Sequence, residues 1–246
     1  SFKRNLSSEV RVAQLAGYTS EHGAYHHGEV SLQKTICGMA QNFVGSNNIN
    51  LLMPNGQFGT RILGGEDCAS ARYIHTELNK PIVDKLFMKE DMPILNYLDD
   101  DGFPVEPDYY VPIIPMILIN GGQGIGTGFS TNIPQYNPID IVNNIKRKLK
   151  GEDAIDTFPW YKGFTGSIIK KNDVSYYTRG KYHKIDDDEI CVTELPIGHW
   201  TQNFKDLLEV LSGYDPESTK KSKSKKKKSP TKTDGKKTGD KDKEKV

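Results

Sequence analysis

Long apolar runs are missing from this 246-residue sequence. The longest, Val111 to Asn120, falls far short of the ~20 residues that a bilayer-crossing helix needs, and it carries Pro112 and Pro115. A membrane protein of the helical kind is therefore excluded. Cysteine is scarce as well: Cys37, Cys68 and Cys191 stand far apart with no Cys-x-x-Cys pair, which argues against a disulfide framework or a thiolate zinc site and for a reducing compartment, cytosol or nucleus. The opening Ser1-Phe2-Lys3-Arg4-Asn5 has neither the apolar stretch nor the small-residue cleavage site of a secretory signal, so the Asn5-Leu6-Ser7 sequon is expected to stay unglycosylated. No lysine occurs between Lys89 and Lys146, which removes a Walker A phosphate loop from the glycine-rich stretch in that interval.

What is present is a charge split that the overall value hides. The formal net charge is +1, yet residues 219–246 hold 13 lysines against 4 acids, leaving 20 basic residues against 28 acidic ones in the rest. The acidic body argues mildly against unaided nucleic-acid binding. The negative excess lies beyond the first 80 residues, where 7 Lys and Arg stand against 6 Asp and Glu. With 35% hydrophobic residues the chain can bury a genuine core, whereas the Lys, Ser, Thr, Pro and Gly of the segment from Thr219 onward cannot, and that segment reads as disordered.

The apolar periodicity sets the remaining elements. Leu32, Ile36, Met39 and Phe43 form a helical stripe over 31–43, opened by the polar start Glu29-Val30-Ser31. A shorter helix is expected over 10–15 and a turn-rich connection over 17–28. Glycines at 45, 56, 59, 64 and 65 point to turns and a β-wing or extended loop. Asp99-Asp100-Asp101-Gly102 reads as a solvated turn rather than a magnesium cluster. The run 111–119 reads as a buried strand, 121–128 as a glycine-rich loop and 138–150 as an amphipathic helix. Alternating strands with turns follow over 158–192, and a last helix starts at Thr201.

Several residues invite chemistry. In Asn120 to Gly128 the glycines miss the dinucleotide-binding pattern, since Thr127 or Phe129 stands where a glycine is required. What remains is a structural turn or a ligand-contacting loop that presents Ile125 among glycines. His22 and His26 have a zinc-like spacing, but Gly23 between them weakens any helix and the metal reading with it. His26 and His27 read as turn histidines or as a phosphate donor with a packed neighbour. In Ala69 to Leu78 an arginine, Arg72, immediately precedes Tyr73. A phenol has a pKa of about 10, so roughly one molecule in a thousand is phenolate at pH 7, and a nucleophilic tyrosine needs cationic help. Taken by itself, Tyr73 is more simply a buried, hydrogen-bonded tyrosine.

Taken together these strings resemble the DNA breakage and rejoining region of eukaryotic-type DNA topoisomerase II, a type IIA enzyme. The matching pieces run in order: VAQLAG at 12–17, AYHHGEVSL at 24–32, AQNFVGSNN at 40–48, NGQFGTR at 55–61 and ASARYIHTEL at 69–78. They continue with VEPDYYVPIIPMILING at 105–121, GIGTGFSTNIP at 124–134 and TELPIGHWT at 193–201. Coverage ends near Leu211. His75, Gly122-Gln123 and Phe129 depart from the pattern, which more often has an aromatic residue, Ala-Glu and tryptophan there.

The resemblance implies a mixed α/β (α+β) fold. A winged-helix (CAP-like) DNA-cleavage domain would occupy 1–110, part of an α/β tower domain 111–215, and a disordered lysine-rich segment 216–246. It implies that Tyr73 attacks a backbone phosphate to give a 5′-phosphotyrosyl bond while Arg72 stabilises the transition state. His26, His27, Ser31 and Lys34 would face DNA, and Ile125 would wedge between base pairs and bend the duplex. It further implies a nuclear, homodimeric isomerase acting on double-stranded DNA, with Mg²⁺ and ATP bound by Toprim and ATPase modules whose motifs this sequence lacks. A fragment inactive alone is the expectation. The rival readings are a nonenzymatic winged-helix DNA-binding protein and a gyrase-like breakage protein; YHHGE and the lysine-rich segment favour the eukaryotic type.

Overall fold

Two helices, α1 (Val12–His22) and α2 (Glu29–Ala40), pack together at the start of the chain. The computed structural model describes residues 8–23 and 25–213; the lysine-rich segment expected to be disordered lies outside the described residues. Helix α1 buries Val12, Leu15 and Ala16, the i, i+3, i+4 stripe of one helical face, and α2 buries Ile36, Cys37 and Ala40. Leu52, Phe58 and Ile74 close this core from the segment that follows. Short strands β1 (Val10–Arg11) and β2 (His75–Thr76) pair antiparallel beside it.

Beyond β2 come α3 (Lys80–Leu86), a 3₁₀ turn at Lys89–Ile94, the hairpin β3 (Tyr97–Asp100) and β4 (Phe103–Pro107), and the short α4 (Met116–Asn120). Then follow the hairpin β5 (Gly122–Gly126) and β6 (Phe129–Ile133), helix α5 (Pro138–Leu149), and the hairpins β7 (Ser167–Asn172) with β8 (Ser175–Arg179) and β9 (Lys181–Asp186) with β10 (Glu189–Glu194). Helix α6 spans Thr201–Leu211. Every sheet among the described residues is a two-stranded antiparallel ribbon, giving the mixed α/β architecture. Of the described residues, those up to Phe204 belong to one compact unit and those from Lys205 on to a second. No helix among the described residues is long and apolar enough to cross a membrane.

Some local expectations change. Helix α1 continues through Gly17 to His22, replacing the first part of the expected turn-rich connection, because Val12, Leu15 and Ala16 all pack inward and Tyr18 stacks on His22 at 4.1 Å. The run 111–119 is not a buried strand. Pro112 and Pro115 withhold the amide donors a ladder needs, Val111 and Ile113 are exposed, and the chain turns into α4 directly after Pro115. Residues 121–128 are a ribbon arm rather than a loop, with the chain reversing where Gly128 takes φ +80°. The Asp99 to Gly102 turn is as expected: the Asp99 carboxylate accepts from the Gly102 amide at 2.8 Å at the tip of β3–β4. Helix α5 starts where Asn137 caps the Ile139 amide at 2.9 Å, with Pro138 at its first position.

A polar hub fastens the GSNN loop after α2 to the later elements. The Asn48 amide, 5% exposed, donates to the carbonyls of Ile119, Tyr136 and Trp160 at 2.9, 3.2 and 3.1 Å, and its oxygen accepts from the Lys162 amide at 2.8 Å. Asn120 exchanges both amide functions with the Ile49 backbone at 2.8 and 2.9 Å. Gln135 donates to the carbonyls of Ser46 and Asn120. Both roots of the β5–β6 ribbon are thereby held on one loop.

A second tie joins Arg61 to β10. The Arg61 guanidinium meets the Glu194 carboxylate at 2.5 Å and the Leu195 carbonyl at 2.7 Å, and Thr165 donates to Glu194 twice at 3.0 Å. Burial pushes the Glu194 carboxyl up, but the Thr165 and Arg61 contacts outweigh it and hold the carboxyl below its ordinary value of 4.5.

Two outcomes follow for stability. Asn48→Ala leaves three carbonyls and an amide without their partner and should cost about 3 kcal/mol or more. Asn48→Asp, nearly the same shape, should be at least as damaging at neutral pH, because a carboxylate would face three carbonyl oxygens; denaturant unfolding of the three proteins measures this. The Glu194 contribution is complete above its ordinary pKa and is lost as pH falls through the lower folded value. Thermal unfolding of Glu194→Gln should therefore lose part of the acid sensitivity that the parent chain shows below about pH 4.5.

Candidate functional site

Tyr73 stands 69% exposed on a turn closed by its own amide on the Ser70 carbonyl at 2.9 Å. The turn is held at both ends. The Ala71 carbonyl accepts from the Ala13 amide and the Ile74 carbonyl from the Val12 amide, each at 3.0 Å, so two donors at the start of α1 that lack intrahelical partners grip the strap. Next along, His75 exchanges backbone bonds with Asn55 at 3.0 and 3.2 Å, and the buried Thr76 hydroxyl donates to the Met53 carbonyl at 2.8 Å.

Ile74 is the buried anchor of this strap, 2% exposed. Gly56 lies against it with φ +127°, and a Cβ there would come within 2.9 Å of the Ile74 side chain. The glycine of NGQFGTR thus serves Tyr73 indirectly, by letting Ile74 seat fully. The simpler sequence reading, a buried hydrogen-bonded tyrosine at 73, is overturned by the exposure of its ring.

Arg72 lies beside Tyr73 with its guanidinium carbon 5.1 Å from the ring centroid. Among the described residues Arg72 has no ion-pair partner, so its charge is available to an outside anion. The sequence-selected residues of α2 fall nearby. Ser31 and Lys34 occupy the exposed face of α2, and Ala71, adjacent to Arg72, lines with Val30 and Lys34 the same groove of about 350 Å³. His26 and His27 are exposed in the connection before α2, with the His27 ring edge-on to Tyr25 at 5.3 Å. Lys34 thus shares a groove with Ala71, the residue directly before Arg72 and Tyr73.

Ile125 sits elsewhere on the chain, 87% exposed on β5 and paired with Ser130. Phe129, 85% exposed, pairs with Gly126, so the alternation of a ribbon sends the two side chains to opposite faces. Sequence reading passed over Phe129 as a departure and did not single out Asn48, Asn120, Gln135 or Gly56. The amides look like ordinary loop polar residues until the chain is folded, although the place of Asn48 and Asn120 inside the matched strings was a usable signal. Among the described residues no three or more His, Cys, Asp or Glu side chains converge to hold a metal ion. These residues do not fit a magnesium site, and the glycine ribbon, lacking a lysine, does not fit a nucleotide phosphate site.

Comparison with known proteins gives one consistent answer. The family model for the A-type chain of DNA gyrase/topoisomerase IV matches residues 1–233. DNA topoisomerase 2 of Pisum sativum is 54% identical over 217 residues, covering 88% of this chain, and that of Saccharomyces cerevisiae is 53% identical over 215 residues, covering 87%. The chain spans about 15% of the length of each of these relatives. A crystal structure of the Plasmodium falciparum topoisomerase II DNA-binding, cleavage and re-ligation domain superposes with a TM-score of 0.83 at 55% identity, covering 85% of this chain and 29% of that one. The breakage-region strings, the exposed tyrosine beside an arginine, the matched family model and relatives more than half identical place this chain in the type IIA DNA topoisomerase family, on its eukaryotic topoisomerase II branch.

Proposed function

We propose that this chain supplies the breakage and rejoining surface of an ATP-dependent, homodimeric type II topoisomerase that acts on double-stranded DNA in the nucleus. In this reading residues 1–110 are the winged-helix cleavage domain and 111–215 the beginning of the tower domain. The observation that carries the reading is the exposed Tyr73, fixed at both flanks by backbone bonds to α1 and Asn55, with a guanidinium beside its ring that has no ion-pair partner among the described residues.

The chemistry follows from that arrangement. The Tyr73 phenol oxygen attacks a backbone phosphorus as its proton departs. The bond from phosphorus to the 3′ oxygen breaks, that oxygen takes a proton, and the phosphate stays joined to Tyr73 through its 5′ side. One phosphodiester replaces another, so resealing is nearly isoenergetic. Arg72 neutralises charge on the phosphate oxygens as the attack proceeds. A rigid strap matters here because a nucleophile displaced by about 1 Å can lose two orders of magnitude in rate.

His26, His27, Ser31 and Lys34 are assigned to the DNA backbone and groove around α2, and Ile125 to the wedge that unstacks a base step. The ligands of Mg²⁺ and ATP are assigned to the parts of the relatives that this chain does not span.

In the intact enzyme, Tyr73→Phe should abolish the denaturant-trapped covalent adduct with labelled DNA while leaving binding unchanged. Arg72→Ala should slow cleavage by about 10²-fold or more. An adduct that survives Tyr73→Phe overturns the assignment, and steep salt-dependent binding with no adduct favours the nonenzymatic reading. Ile125→Ala removes apolar contact worth up to about 2 kcal/mol and should reduce the bend in bound DNA, measured by energy transfer between dyes at the duplex ends.

A further inference from the structure

Cys37 and Cys68, thirty-one residues apart, come together with their sulfurs 3.6 Å from each other. Cys37 is on the inner side of α2, 8% exposed, and Cys68 is half-buried on the strap five residues before Tyr73. Both are free thiols, with their sulfurs within hydrogen-bond reach of each other. A disulfide needs about 2.05 Å between the sulfurs, so roughly 1.5 Å of closure separates the pair from a bond. The two residues also line the open groove shared by Lys34 and Ala71, which gives a small molecule an approach to Cys68.

We propose that Cys37 and Cys68 form a reversible thiol–disulfide modification site that fastens α2 to the strap carrying Tyr73, with small-molecule disulfides of the glutathione type as its oxidant. The site is independent of the role assigned to Tyr73. It takes two steps. The Cys68 thiolate attacks one sulfur of the small disulfide, forming a mixed disulfide and releasing one small thiolate. The Cys37 thiolate then attacks the Cys68 sulfur, forming the internal bond and releasing the second. Two protein thiols are oxidised, one small disulfide is reduced to two thiols, and the two protons end on those products.

The order of attack follows from access. Both sulfur-bearing residues border the groove, but Cys68 is half-buried there whereas Cys37, 8% exposed, belongs to the buried core, so Cys68 is the more accessible of the two. Burial, the Cys68 hydrogen bond and its charge push the Cys37 thiol up to about 12, and burial pushes Cys68 up as well. Both sulfurs are thus protonated at neutral pH, so the bond forms slowly there and faster as pH rises. Low reactivity toward trace oxidants, combined with a partner already in place, suits a site that closes only under sustained oxidation. A bridge from α2 to the strap would restrain two elements that this reading of the chain places on DNA.

The test uses the whole chain with Cys191→Ser, which removes the third thiol at a half-buried strand position. The protein is incubated with glutathione disulfide across roughly pH 7 to 9, remaining thiols are blocked with an alkylating agent, and a nonreducing digest is read by mass spectrometry. The expected product is a linked peptide pair containing Cys37 and Cys68, formed about tenfold faster per pH unit and reversed by a thiol reductant. Cys37→Ala in the same background should stop at glutathione on Cys68. The same digest on the unsubstituted chain needs no folded variant and should give the same linked pair. A stable mixed disulfide on Cys68 with Cys37 still free overturns the proposal, as do two thiols that remain unmodified while a small reference dithiol in the same tube is oxidised.

Discussion

One buried asparagine sets the relation between the two ends of the site. Asn48 satisfies three carbonyls and one amide drawn from residues 119, 136, 160 and 162. Those groups end a short helix, leave a ribbon and precede a turn, and a single side chain meets all four. A hydrophobic side chain of similar volume would fill the space and leave one buried and three part-buried polar groups without that partner, the buried one costing about 1–3 kcal/mol. Asn120 and Gln135 extend the same bonding to the loop 45–50, so the loop after α2 and the base of the β5–β6 ribbon are tied by one set of hydrogen bonds.

The exposed tyrosine is organised by a different means. Tyr73 gains its exposure from a strap whose backbone is fixed on both sides and whose one large apolar residue, Ile74, points inward. Alternation along an extended segment does the rest: Ile74 and Thr76 are buried, Tyr73 is exposed and His75 is half-buried. The unpaired donors of an α1 terminus, which every helix carries, here become the clamp that sets the tyrosine's position.

The sequence was legible where local periodicity decides the outcome. The presence of α2 and α5, the turn at Asp99 to Gly102 and the strands after 158 emerged from spacing alone, although α2 ends at Ala40, short of Phe43, and buries Ile36, Cys37 and Ala40 while Met39 of the expected stripe is exposed. The run 111–119 did not, because its prolines weigh against a ladder more strongly than its β-branched content argues for one. The site divided the same way. Arg72, Tyr73 and Ile125 were named through the strings they sit in, and the structure shows their side chains at the surface. The Asn48 hub and the meeting of Cys37 with Cys68 are products of long-range folding, and no spacing rule within one segment encodes them.

The β5–β6 ribbon is gripped at its roots by Asn120 and Gln135 and, among the described residues, has no covering element along its arms, where every residue from Gln123 to Asn132 except the turn is an exposed strand position. Mechanically it is a cantilever: stiff where it is clamped, compliant toward the glycines at its free end. A sideways push on Ile125 is therefore converted into torque at the clamp, and the first structure to feel that torque is the loop directly after α2.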